Sequence, residues 1–158
     1  MKTIVIPTDF NLKALNCIET LCKQQPGTPF RLIFIHLFKM SDSITELLLL
    51  SRRNKEYDYV GEDFYATCEA LRSRYPQIAE IKVDFFYGST LSMFRNYLEA
   101  HGITAVLDLE ACSLKPLNRM SVNPESLFQK CGLEVVRLQA VQEASKIYKQ
   151  ELLLEEVV

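Results

Sequence analysis

Residues 30–38 read Phe-Arg-Leu-Ile-Phe-Ile-His-Leu-Phe, and no polar face can be drawn along this run. A strand with one wet face alternates apolar and polar side chains. A strand that is apolar on successive residues has to be covered on both sides. A shorter run of the same kind occupies residues 3–7, and further strands are expected at 81–86, 103–109 and 133–138. Turn formers bound them: Asp9 and Asn11 after the first, Gly88 after the third and Gly132 before the fifth. The chain therefore carries five candidate strands, the first two suited to the middle of a two-sided sheet.

Helical spacing fills the gaps. Leu15, Ile18, Leu21 and Cys22 share one helix face, with Asn11 as N-cap and Gln25-Pro26-Gly27 as stop. Ser43 and Glu46 form a capping box ahead of the run Leu47 to Leu50. A further helix spans 62–75 with Phe64, Cys68 and Leu71 inward, ended by Pro76. Residues 90–101 place Leu91, Phe94 and Leu98 on one stripe, with Gly102 past the end. Asn123-Pro124 opens a short helix through Lys130, with Leu127, Phe128 and Cys131 inward. Strands alternating with helices need crossovers, so the sheet is expected to be parallel and the crossovers right-handed. The predicted fold is α/β: an open, doubly wound, five-stranded parallel sheet with helices on both faces. Residues 1–138 form one domain, and 139–158 a helical extension of it. In that extension Val141, Ala144, Tyr148 and Leu152 recur at helical spacing among Gln142, Glu143, Lys146 and Lys149. Its apolar stripe has two candidate partners, this subunit or a second copy.

Several function classes are disfavoured by charge and composition. A balance of 18 Lys/Arg against 20 Asp/Glu gives no basic footprint for nucleic acid or anionic lipid. No apolar stretch nears the roughly 20 residues of a membrane span, and residues 1–7 are too short for a secretory core, so a cytoplasmic location is expected. Five scattered cysteines read as reduced, mostly buried thiols rather than a disulfide framework. Two histidines and no Cys-x-x-Cys give no zinc pattern. Neither a Gly-x-Ser-x-Gly elbow nor a Walker loop occurs, and no nucleophile is seen beside a base, so no catalysis is expected.

Three segments carry a resemblance. Ile4-Val5-Ile6-Pro7-Thr8-Asp9 resembles the opening strand of the universal stress protein family, with Asp9 where those proteins carry a strand-end Asp near bound adenine nucleotide. Leu32 to His36 is similar to the family's second strand and its terminal His. Tyr87-Gly88-Ser89, the helix after it and residues 103–107 are similar to its glycine turn, third helix and fourth strand; residues 132–138 match its last strand. The resemblance covers about residues 2–138 and implies strand order 3-2-1-4-5. It implies a ligand crevice between strands one and four, and a homodimer formed through the last strand; the terminal helix departs from the family's usual ending and is a second candidate dimer element.

One departure bears on function. ATP-binding members of that family carry G-x2-G-x9-G-[ST] after strand four, whereas residues 109–122 here contain no glycine. Cradling phosphate takes backbone N–H groups on a tight loop that tolerates left-handed residues, and a Cβ at each position obstructs it. Asp108 and Glu110 add charge beside Asp9; one such charge about 4 Å from a phosphate costs on the order of 1–4 kcal/mol in moderately wet surroundings. No cofactor is expected, ATP and AMP included. The expected role is a non-catalytic stress or signalling protein with a degenerate nucleotide crevice. The alternative is a small-ligand or adenine-nucleotide sensor at that crevice. Its candidate residues are Pro7, Thr8, Asp9, His36, Gly88, Ser89, Asp108, Glu110, Cys112 and Ser121. Each has a structural reading beside the functional one. His36 is a hydrogen-bonded core histidine or a ligand contact. Gly88-Ser89 is a helix cap or a sugar and phosphate contact. Cys112 is an inert thiol or the accessible, redox-active one.

Overall fold

The computed structural model describes residues 1–40 and 57–138. The capping-box helix at Ser43, the leucine run after it and the extension 139–158 lie outside the described residues. The strands are β1 (Lys2–Pro7), β2 (Phe30–Phe38), β3 (Ile78–Tyr87), β4 (Ala105–Leu107) and β5 (Glu134–Val136). The helices are α1 (Asn16–Gln24), α2 (Glu62–Arg74), α3 (Leu91–Ala100) and α4 (Glu125–Lys130). All strand pairs are parallel and their order is β3-β2-β1-β4-β5, as the resemblance implies.

The period of two explains why β2 lacks a polar face. Ile4, Ile6, Leu32, Phe34 and Phe38 point to one side and pack with Ile18 and Leu21 of α1 and Phe64 and Cys68 of α2. Val5, Ile33, Ile35 and Leu37 point to the other and pack with Phe94 and Leu98 of α3 and Leu127 and Phe128 of α4. Two cores thus sandwich the sheet, as in doubly wound folds. Phe94 anchors the second core, its ring 5.2 Å from Phe128 and 5.5 Å from Phe86.

The boundaries moved in instructive ways. Asn11 does cap, accepting from the Lys13 N–H, but it caps a 3-10 turn at Leu12–Leu15 that leads into α1. β3 is longer than the predicted 81–86: Ile78, buried in the first core, and Glu80 already pair with β2, while Ala79 and Glu80 are exposed and leave no apolar signal. β4 is shorter than 103–109. Asp108 caps a second 3-10 turn at Leu109–Ala111, accepting from the Glu110 N–H at 3.3 Å, and this takes the chain off the ladder. β5 shrinks from 133–138 to three edge residues, of which Glu134 and Val135 are exposed. Thr90 caps α3 through the Met93 N–H, and Asn123 accepts from the Glu125 N–H one residue ahead of Pro124 at the start of α4.

Candidate functional site

The carboxyl ends of the strands hold the residues singled out from sequence, and β1 sets the geometry. Thr8 continues the ladder, donating its N–H to Ile35 O at 2.8 Å. Its hydroxyl oxygen accepts from the Phe10 N–H at 2.9 Å, and Asp9 Oδ1 accepts from the Asn11 N–H at 3.0 Å. These two short-range bonds fold the backbone into a tight turn in which Phe10 has φ +61°. A bulky residue in the left-handed region costs on the order of 1–3 kcal/mol. The turn sends the Phe10 ring inward, 5.6 Å from Phe64 and 5.4 Å from Phe85, and 6.3 Å from the His36 ring. Phe10 was not foreseen from sequence; only its place after a Thr-Asp turn pair hinted at it.

Asp9 is buried, and its second carboxylate oxygen is also taken, accepting from the Ser113 hydroxyl at 3.0 Å while the Asp9 N–H donates to Ser113 O at 3.0 Å. Both oxygens of the strand-end acid are therefore bound to this chain's own atoms. Pro7 and Thr8 are buried beneath it.

His36 completes a second polar contact with the same loop. Its Nδ1 lies 2.7 Å from Thr8 O and its Nε2 2.7 Å from Ser121 Oγ. A carbonyl only accepts, so Nδ1 carries the proton. Ser121 Oγ accepts from the N–H groups of Leu117 at 2.9 Å and Asn118 at 3.3 Å. A hydroxyl has two acceptor lone pairs and one proton. With both lone pairs engaged, the Ser121 proton goes to Nε2 of a neutral ring. Burial pulls the His36 pKa below its ordinary value, against the smaller upward pulls of the Thr8 carbonyl and the Asp9 charge. The sequence showed no nucleophile beside a base, and the structure corrects this: a serine hydroxyl on a histidine Nε2 is that geometry. Both lone pairs of the oxygen that would attack are engaged by the Leu117 and Asn118 N–H groups.

The loop after β4 is stitched down along its length. Met120 O accepts from the Lys39 N–H at 2.7 Å and the Val122 N–H donates to Leu37 O at 2.8 Å, which lays the loop antiparallel beside the end of β2. Within the loop, the N–H groups of Ala111, Cys112 and Ser121 donate to Asp108 O, Leu109 O and Asn118 O, and that of Met120 to Asn118 Oδ1. The predicted crevice between β1 and β4 is accordingly occupied at Asp9 by Ser113.

A cavity of about 730 Å³ lies farther along, beyond the ends of β4 and β5 and against α4. Of the candidate residues, His36, Asp108, Glu110 and Ser121 line it. Pro7, Thr8, Asp9, Gly88, Ser89 and Cys112 are not among its lining residues. Apolar walls come from Val106, Leu107 and Phe128; Lys115 and Arg137 contribute cations and Glu125 a further acid. Gly88 packs under α3: a Cβ there would meet Met93 Cε at 2.9 Å and Phe86 Cζ at 3.2 Å. Ser89 is exposed. Cys112 is the one described cysteine that is not fully buried, yet its thiol donates to Asp108 O at 3.4 Å and burial pushes its pKa far up, which disfavours the reactive thiolate. Among the described residues, no group of His, Cys, Asp and Glu could hold a metal ion, and no helix is long and apolar enough to cross a membrane.

No family model matches the sequence, and no curated protein matches it. Solved structures do resemble the chain. A hypothetical protein, PH0823, is 14% identical, with a TM-score of 0.50 over 87% of this chain and 94% of that one. A protein from the universal stress protein family of Burkholderia pseudomallei is 10% identical (TM-score 0.48, 86% and 94% covered). A universal stress protein family protein from Arabidopsis thaliana, with AMP bound, is 8% identical (TM-score 0.48, 87% and 91% covered). At such identities the likeness is one of fold. The likeness to PH0823 agrees with the α/β fold and its 3-2-1-4-5 sheet.

Proposed function

We propose that the chain is a non-catalytic stress-response or signalling protein of the universal-stress type, acting as a homodimer, in which the loop after β4 has taken over the nucleotide crevice. One observation carries this reading. The N–H groups of residues 110–112, 117, 118 and 120–122 all donate to oxygens of the chain itself. A phosphate needs several such donors converging on it from one loop. Freeing them means breaking bonds that each contribute about 0.5–1.5 kcal/mol. Both carboxylate oxygens of Asp9 are already engaged, by the Asn11 N–H and the Ser113 hydroxyl, so a ribose would have to share them.

The cavity favours a second reading, a sensor of a small ligand other than a nucleoside triphosphate. Its volume of about 730 Å³ falls within the usual range for small-molecule sites. The walls are apolar near Phe128 and charged near Lys115, Arg137 and Glu125. Calorimetric titration with ATP, ADP and AMP tests the first reading. The expected result is no binding up to millimolar nucleotide, and micromolar ATP binding would overturn it. Sedimentation of the full chain tests the homodimer, and a monomer at tens of micromolar would remove that element. A screen of small carboxylates and aromatic acids, read by thermal shift, tests the second reading.

A further inference from the structure

Residues 36 and 121 are far apart in sequence, yet their side chains, both lining the cavity, close a complete hydrogen-bond circuit. Each polar atom in that circuit has one role available. Thr8 O only accepts, the Leu117 and Asn118 N–H groups only donate, and the Ser121 hydroxyl has no unused lone pair. We infer that His36 and Ser121 form a proton-sensitive latch, which holds the turn 117–121 closed at the edge of the cavity while the ring is neutral and releases it when the ring gains a second proton.

The reasoning is one of valence. A second proton turns Nε2 from acceptor into donor, and it then points at an oxygen already receiving two N–H groups. Ser121 must drop Leu117 or Asn118 to accept from the ring, or the charged N–H is left buried without an acceptor. Dropping the amides opens the turn whose N–H groups face Ser121, and its neighbours Leu114, Lys115 and Pro116 line the cavity. The loop keeps its anchors at Lys39, Leu37 and Asp9, so the movement is confined to the turn.

The charges around the ring set the terms of this titration. Asp9, at the end of β1, favours the protonated ring. Asp108 and Glu110 after β4, Lys115 in the loop, Glu125 on α4 and Arg137 after β5 line the cavity that His36 borders. From β2 and the β1 turn the ring faces the uncharged Phe38 at 4.8 Å and Phe10 at 6.3 Å. Burial holds the ring neutral at neutral pH. The latch stands whether or not the cavity binds a ligand.

Nuclear magnetic resonance on the isotope-labelled full chain, from about pH 8 to about pH 5, tests it directly in the range where a histidine titrates. At the upper end the ring nitrogens should report a neutral ring protonated on Nδ1. On acidification the ring and the amides of Leu117 and Asn118 should titrate with one midpoint. The protection of those two amides against exchange, corrected for intrinsic rates, should then fall by up to about tenfold per pH unit, as linkage requires. Ser121→Ala should leave both amides poorly protected at every pH, and His36→Asn should make their protection independent of pH. The latch is refuted if both amides stay protected while the ring is protonated, or if the ring stays neutral until the whole chain unfolds. Acylation of Ser121 by a p-nitrophenyl ester would also refute it, since that requires a lone pair the latch does not leave free.

Discussion

Replacing Gly88 by alanine should destabilise the chain by about 2–4 kcal/mol, and the structure separates two sources for that loss. The first is conformational. Gly88 has φ +153°, outside the usual range of L side chains, which costs on the order of 1–3 kcal/mol for a residue with a Cβ. The second is steric. The new methyl meets Met93 Cε at 2.9 Å, Met93 Sδ at 3.2 Å and Phe86 Cζ at 3.2 Å. Met93 can swing its flexible end away, but the Phe86 ring is buried and wedged edge-on against Phe94 and Tyr97, each 5.5 Å away. The steric part therefore falls near the low end of the overpacking range, about 1 kcal/mol. Gly102 supplies the control. Its φ is +64° and nothing lies within 4 Å of a built Cβ, so Gly102→Ala carries a conformational cost alone, about 1–2 kcal/mol. Urea melts followed by circular dichroism should rank Gly88→Ala below Gly102→Ala. Adding Met93→Ala should return about 1 kcal/mol to the Gly88 variant as a coupling energy. In a domain of this length the thermal midpoint should fall by roughly 5–15 °C for Gly88→Ala. Equal costs at the two glycines, with no coupling to Met93, would show that packing is not why residue 88 is a glycine, and would reopen a ligand-facing role for it.

Asp9→Ala strands the Ser113 hydroxyl and the Asn11 N–H and should cost about 2–3 kcal/mol in urea melts, whereas Asp9→Asn, which can bond to both, should cost under about 1 kcal/mol. The pH dependence of stability should carry the sign of a depressed histidine. The ordinary value is 6.5 and burial lowers it in the folded chain, so the unfolded chain takes up the proton first as pH falls. His36 should therefore cost no stability above about pH 6.5, cost progressively more down to its folded value and level off below it; His36→Asn melts should lack that slope. Burial raises the Cys17 thiol to about 12 and the Cys68 thiol to about 11, and raises Cys112 as well. Labelling with a disulfide reagent at neutral pH should thus be slow for all three and accelerate only in denaturant; fast labelling of Cys112 in the folded chain would restore the redox reading.

How far the sequence reveals this molecule depends on the range of the forces involved. The sheet was legible because two-sided burial leaves its mark on adjacent residues: Leu32 to Ile35 along β2 can be apolar in succession only if α1 and α2 cover the even positions and α3 and α4 the odd ones. Caps were legible for the same reason, since Asn11, Thr90 and Asn123 bond within three residues of themselves. The missing glycines mark where the loop after β4 departs from the family pattern, but not which contacts hold it. That is decided by Ser113 reaching Asp9 and Ser121 reaching His36, contacts across 104 and 85 positions that leave no local periodicity. The local half of the device could have been read. Asn118 and Ser121 are turn formers at a spacing that lets each side chain bond loop amides, and they do so. A loop that satisfies its own N–H groups through side chains needs neither glycine nor phosphate to hold its shape. In that Asn-x-x-Ser turn the N–H groups of Leu117, Asn118 and Met120 are taken by the Ser121 and Asn118 side chains, which is how a glycine-free loop holds its shape there.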